Sequence, residues 1–266
     1  MTCQSARSFP DDPVNDQQRQ LGQPRTYLDR TTSTMDDIAR LAPSSQEGLT
    51  VVAREQTQGR GRADRKWQDA PGSSLLFSTL LLPGCSHSLF QPFPVLAGVA
   101  VAEAIQHYAG VVTQVKWPND VLIDGRKVAG ILVTTRVTGE LVESAVIGIG
   151  INLSGVPDDL ESTAISLAEA AHVPVVTAHL LDELLARLSR LYNRVLKGDL
   201  DELVRRWHEM AAYVGDQVCV LVGSDRHCGT LKGIDRTGAL QLVDETGSLT
   251  SVHVGDVVRG PFPAGP

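Results

Sequence analysis

The hydrophobic period of this chain changes once, and that change constrains the fold more than any other feature. Before Tyr213, short β-type runs alternate with segments of helical period. Leu181, Leu184, Leu185, Leu188, Leu191 and Val195 recur at a spacing that puts them on one helical face. After Tyr213 only short alternating runs remain, Val218–Val222, Cys228–Ile234, Ala239–Val243 and Leu249–Val254. Glycine-bearing turns at Gly223, Gly238 and Gly247 separate them. The switch predicts two units: an α+β unit with helices on a mixed or antiparallel sheet, then a small β-barrel or sandwich of about fifty residues. A unit that small buries little apolar surface alone, so it is expected to pack on the larger one.

Residues 1–25, rich in Gln, Asp, Pro and Arg without apolar periodicity, read as a disordered tail. The larger unit is expected over 26–213 and the β-unit over 214–266. Within the larger unit a helix begins near Ser33 or Thr34, either of which can cap it, with Ile38 and Leu41 facing inward. Strands are expected at Leu49–Arg54 and Leu75–Leu82, and a helix at Pro92–Tyr108. Strands follow at Val112–Lys116, Val121–Ile123, Val128–Thr134 and Leu141–Leu153, with a hairpin signal at Asp124-Gly125. Helices resume at Ser166–Ala171, Ala178–Leu196 and Leu200–Ala211.

With 42% apolar and 21% charged residues in 266, the chain is neither disordered throughout nor a disulfide-dense miniature. A net charge of −7 argues against a surface devoted to nucleic acid but leaves room for a local basic site. The cysteines Cys3, Cys85, Cys219 and Cys228 form no C-x-x-C pair, and no secretory signal pattern opens the chain. They read as reduced thiols of a cytoplasmic protein. The apolar stretch Val95–Ile105 is about half a membrane span, so no membrane partner is expected.

Four strings carry chemistry. The first, Gly59-Arg60-Gly61-Arg62-Ala63-Asp64-Arg65-Lys66-Trp67, lies in a stretch from Arg54 to Lys66 with five basic and two acidic side chains. Its guanidiniums suit phosphate or carboxylate, and Trp67 offers a face for stacking. The same residues also fit a solvated loop or an RG-type contact with RNA. The segment Gly59–Lys66 is expected to be mobile when empty, because its like charges are unpaired in sequence. The second string is Lys116-Trp117-Pro118-Asn119-Asp120. Asn119 and Asp120 either cap the turn or hold a nucleotide, with Asp120 on Mg²⁺ or a ribose hydroxyl. The third is Arg126-Lys127-Val128-Ala129-Gly130-Ile131-Leu132, whose lysine opens a buried strand. The fourth is Gly148-Ile149-Gly150-Ile151-Asn152-Leu153, whose glycines leave space over a sheet.

In order and spacing the four strings closely resemble the catalytic domain of biotin–protein ligases, over roughly residues 27–260. The resemblance implies a class II synthetase-like catalytic domain over 26–213 and an SH3-like β-barrel after it. It implies ATP and biotin as substrates with Mg²⁺, and a biotin carboxyl carrier domain as partner. By matching position, Ser33, Thr34, Gln56, Arg60, Gly61, Arg62, Lys127, Gly130 and Gly148 would bind biotin. Arg62, Arg65, Trp67, Lys116, Asn119, Asp120 and Asn152 would bind ATP. Lys127 and Arg62 would be catalytic, and Asp120 would hold the metal. Met35 departs from the pattern, standing where the family often has asparagine after its Ser-Thr pair.

A biotin carboxylate attacking an anionic α-phosphate needs cations between them, a role Lys127 and the loop arginines suit. The nearest rival is a lipoate–protein ligase, which the first two strings disfavour. An RNA-binding protein is disfavoured by the net charge and by only 5% aromatic residues. A biotin-responsive DNA repressor would need a DNA-reading domain, for which the residues before the first helix are too few, so no DNA partner is expected.

Overall fold

The computed structural model describes residues 19–171 and 175–259. The expected tail lies outside the described residues as far as residue 18. From Arg19 the chain is already attached. The Arg19 guanidinium donates to the Glu47 carboxylate at 3.0 Å and to the Leu82 carbonyl at 2.7 Å, and Leu21 is buried.

In chain order the elements are β1 (Arg25–Thr31), α1 (Thr34–Leu41), β2 (Thr50–Gln56), β3 (Ser74–Leu81), β4 (Cys85–Ser86), α2 (His87–Phe90) and α3 (Phe93–Ala109). Next come β5 (Gln114–Lys116), β6 (Asp120–Ile123), β7 (Arg126–Thr138), β8 (Leu141–Asn152), α4 (Leu167–Ala171), α5 (Thr177–Leu196) and α6 (Asp201–Met210). The last strands are β9 (Gln217–Val222), β10 (Asp225–Ile234), β11 (Leu240–Val243), β12 (Leu249–Val252) and β13 (Asp256–Arg259). The expected strands and helices are present with shifted ends. Sequence reading missed β1, whose residues alternate too little to read as a strand, and the short β4, α2 and β13, of two to four residues each.

The large sheet has eight strands in the order β1-β2-β3-β8-β7-β6-β5, with β4 added beside β8. Only β1 and β2 run parallel, so the sheet is mixed. Every residue of β3 is buried, because helices cover both of its faces. On one face, Val51, Leu80 and Val146 pack under Met35 and Ile38 of α1. On the other, α3 and α5 cover Phe77, Ile147 and Ile149. Leu41 does not face inward as expected but is 41% exposed. The segment His87–Ala109 reaches the length and apolarity needed to cross a membrane, more than the sequence stretch suggested, but most of it is buried in this core.

The small sheet is antiparallel, in the order β12-β11-β10-β9-β13. Here the structure corrects the expected barrel. The end strands β12 and β13 each pair on one side only, so the sheet stays open, and the large sheet does not close either. Closure demands end strands long and tilted enough to meet, and these two have four residues each. The small sheet packs on the larger unit through Gly238, whose carbonyl accepts a hydrogen bond from buried Trp117 Nε1 at 2.9 Å.

The cysteine reading is corrected as well. Cys219 and Cys228 stand opposite each other on β9 and β10 and are joined by a disulfide. A hairpin turn brings them together, which a search for close cysteine spacing does not detect. Cys85 is free, and Cys3 lies outside the described residues.

Candidate functional site

The site is a depression on the α1 face of the large sheet. Gly130 of β7 pairs with Gly150 of β8, Gly148 pairs with Leu132 of β7 and Ser78 of β3, and paired residues share a face. Three glycines on one face remove the side chains that would fill it. The space is not free for any residue. A Cβ at Gly150 would fall 2.6 Å from Trp67 Cε2, one at Gly130 3.0 Å from Trp67 Cζ3, and one at Gly148 2.7 Å from Met35 Sδ. The Trp67 indole and the Met35 thioether thus lie directly on the glycine floor.

One end of the depression is neutral and polar. Thr34 donates its backbone N–H to Gln56 Oε1 at 2.8 Å, and its hydroxyl lies 2.7 Å from Ser78 Oγ. Ser33 holds the cap position of α1, as expected, but its hydroxyl makes no cap hydrogen bond. Ser33 Oγ is buried, lines the depression and has no hydrogen-bond partner, as does Trp67 Nε1. Buried polar atoms without partners are rare in folded proteins, and these two, with Asp120 Oδ1 as a third in the same depression, mark a place where a ligand's polar groups fit.

The other end is cationic. The loop after β2 closes on itself: Gly61 N–H donates to Arg65 O at 2.7 Å, and Trp67 N–H to Gly59 O at 3.0 Å. Its three arginines are paired, which corrects part of the premise for a mobile loop. Arg60 pairs with Asp36 at the start of α1. Arg62 Nη1 donates to Asn119 Oδ1 at 3.2 Å and lies 3.3 Å from Asp256 Oδ1, while its Nη2 donates to the Gly255 carbonyl at 3.1 Å. Arg65 reaches the same Asp256 oxygen at 2.9 Å. Burial pushes the Arg62 guanidinium below its ordinary pKa, and neighbouring Arg65 adds to this against the opposing Asp256 and Asp120.

Lys127 stands at the centre. Its backbone is clamped by Lys127 N–H to Thr163 O at 2.8 Å and Ile165 N–H to Lys127 O at 3.0 Å. Its ammonium lies 5.7 Å from the centre of the Trp67 ring and 2.6 Å from Asp120 Oδ1. That carboxylate oxygen is buried with no aligned hydrogen bond, so the contact is Coulombic.

Thus Ser33, Thr34, Gln56, Arg60, Gly61, Arg62, Arg65, Trp67, Asn119, Asp120, Lys127, Gly130 and Gly148 all line one depression. Lys116 and Asn152 do not. Lys116 ends β5 opposite Asp120, and Asn152 is buried, donating its amide to the carbonyls of Lys127 at 3.3 Å and Ile165 at 3.2 Å. Asn152 therefore acts on the site through the lysine's backbone. Gly150, which with Gly148 read as leaving space over a sheet, is part of the floor, and one contributor escaped the sequence reading of the site. Asp256, nearly two hundred residues beyond the loop it contacts, carries no local signal.

Residues 27–152 match the Biotin/lipoate A/B protein ligase family. Over 245 residues, 90% of this chain and 75% of the relative, the chain is 32% identical to the bifunctional ligase/repressor BirA of Bacillus subtilis. It is 33% identical over 228 residues to the biotin–[acetyl-CoA-carboxylase] ligase of Paracoccus denitrificans, covering 81% of this chain and 92% of that one. The biotin protein ligase of Aquifex aeolicus, solved in complex with biotin and ATP, superposes with a TM-score of 0.78 at 27% identity. The match covers 89% of this chain and 99% of that one. With the pocket's residues and these relatives in agreement, the chain belongs to the biotin–protein ligase family.

Proposed function

We propose that this chain uses ATP to convert biotin to biotinyl-5′-AMP and then transfers the biotinyl group to a lysine of a biotin carboxyl carrier protein, such as that of acetyl-CoA carboxylase. The observation that carries this reading is one depression with a neutral polar end, a glycine floor and a cationic end. The ureido ring of biotin needs neutral donors and acceptors, which Ser33, Thr34 and Gln56 supply. Its carboxylate and the α-phosphate need cations, which Lys127 and Arg62 supply.

In the first step a carboxylate oxygen of biotin forms a bond to the α-phosphorus, and the bond to pyrophosphate breaks. Both partners are anions, so the ammonium of Lys127 and the guanidinium of Arg62 offset their repulsion and the charge that builds in the transition state. Lys127 is held by Asp120, and Arg62 and Arg65 by Asp256. These carboxylates keep the cations in place until substrate anions replace them. In the second step the carrier's lysine amine attacks the acyl carbon and AMP leaves. Water would destroy the mixed anhydride, which gives the arginine loop and the Trp67 ring a second role as a cover.

For Mg²⁺, Asp120 is the one carboxylate among the described residues lining the site, and the described residues hold no cluster of three or more metal-ligating side chains. That donor set fits an ion held by one carboxylate together with ATP's own phosphate oxygens. Bound there, the ion would neutralise phosphate charge.

The test is to incubate the protein with ATP, a carrier domain and either biotin or lipoate, and weigh the carrier. A biotinyl mass increase that needs ATP is expected. Lipoylation without biotinylation, or no modification alongside no pyrophosphate release, would overturn the reading.

A further inference from the structure

We propose that Cys219 and Cys228 are a redox-active pair, opened by a small or protein dithiol, whose state sets how tightly the arginine loop holds ATP. The proposal rests on the adenylate-forming reading of the pocket and adds a control to it.

The two sulfurs are unequal. Cys219 is fully buried, whereas Cys228 is an exposed residue, so Cys228 is the side from which a thiolate would attack. Exchange then proceeds in two steps. A dithiol thiolate bonds to Cys228 Sγ, the disulfide breaks, and Cys219 leaves and takes a proton. The second thiol closes on the mixed disulfide and releases Cys228. Two electrons pass to the protein, and the dithiol departs as its own disulfide. The fold tolerates both states, because β9 and β10 hold six register pairs, Asp225–Thr230 against Gln217–Val222, that do not depend on the covalent bond.

The same strand connects the pair to the pocket. On its other edge β9 carries β13, a four-residue strand that pairs with no other strand among the described residues. In that ladder Cys219 stands opposite Val258 and Leu221 opposite Asp256. Alternate residues share a face, so the disulfide and Asp256 lie on one face of the small sheet, one side-chain repeat apart. Asp256 is the carboxylate shared by Arg62 and Arg65, and Gly255 accepts from Arg62. Cross-linking β9 to β10 stiffens the one strand among the described residues that pairs with β13 and so supports this contact. Opening the bond removes that brace while the ladder remains, so β9 and β13 gain freedom and the two guanidiniums that would face the phosphates loosen.

The experiment uses the full chain prepared without reductant. Alkylation under denaturing conditions and mass measurement should show two modified cysteines of the four, and four after dithiothreitol treatment. Pyrophosphate release measured against ATP should show KM rising about threefold or more on reduction. The double variant Cys219→Ser/Cys228→Ser should show the raised KM with or without dithiothreitol. Four alkylated cysteines before reduction, or equal KM in both states of an active protein, would overturn the redox role alone. No pyrophosphate release in either state would overturn the adenylation reading and the control built on it.

Discussion

Replacing Gly150 with alanine tests whether the glycine floor sets the position of the arginine loop. The added Cβ would lie 2.6 Å from Trp67 Cε2, 2.8 Å from Cζ2 and 2.9 Å from Cδ2. Carbon atoms pack best at about 3.5–4.0 Å, so the rigid indole must lift by roughly 1 Å. The Trp67 amide is tied to Gly59 O at 3.0 Å, so the lift passes into the base of the loop that carries Arg60, Arg62 and Arg65. Overpacking of this kind costs about 1–3 kcal/mol of stability. A misplacement of about 1 Å in groups that position a reaction costs on the order of 10²-fold in rate. We therefore expect Gly150→Ala to fold, with a lowered denaturation midpoint and kcat/KM for biotin-dependent pyrophosphate release down about 10²-fold. Gly155→Ala, where a Cβ meets nothing within 4 Å, is the control and should change neither quantity. Adding Trp67→Phe to Gly150→Ala gives the bulge a smaller ring to meet, and should recover more stability than Trp67→Phe gives alone. A folded Gly150→Ala protein with ordinary kcat/KM and unchanged tryptophan fluorescence would refute the account of the floor.

Lys127→Ala should keep its thermal midpoint near that of the parent while losing about 10²–10³-fold in pyrophosphate release, and Lys127→Arg should restore only part of it, as rapid-quench assays would show. Trp117→Phe removes the donor to the Gly238 carbonyl and should cost about 1–3 kcal/mol in a urea titration, since a buried acceptor is left unpaired where the two sheets meet. Asp69 supplies the pH dependence. Burial, with the nearby Glu55 charge, pushes its carboxyl from 3.8 up to about 6, and one of its oxygens is buried without a partner. A carboxyl raised on folding stabilises fully below its unfolded pKa, and that contribution is lost as pH rises from about 3.8 through about 6. Asp69→Asn should therefore raise the urea midpoint at pH 7.5 and leave it nearly unchanged at pH 4, and an equal shift at both would count against the assignment.

Much of this molecule was legible in the chain because the signals are local. The period-two runs and the leucine stripe on α5 gave the elements, since burial of one face imposes the spacing directly. Glycine at 148 and 150 marked a bare patch on the sheet, because two residues along a strand always return to one face. Lysine and arginine in strings of fixed order pointed to the anion end of the pocket. What the chain did not disclose depends on residues far apart in sequence. The loop's positive charges read as unpaired, yet Asp36 and Asp256 neutralise part of them from α1 and β13. Asn152 read as a ligand contact, yet its amide braces the backbone of Lys127. Cys219 and Cys228 meet only because β9 and β10 share a register, and the small sheet stays open because β12 and β13 are too short to join. Sequence determines which side chains a strand or helix can offer. Which of them face one another is decided by packing, where each charge takes the partner that the whole fold brings within reach.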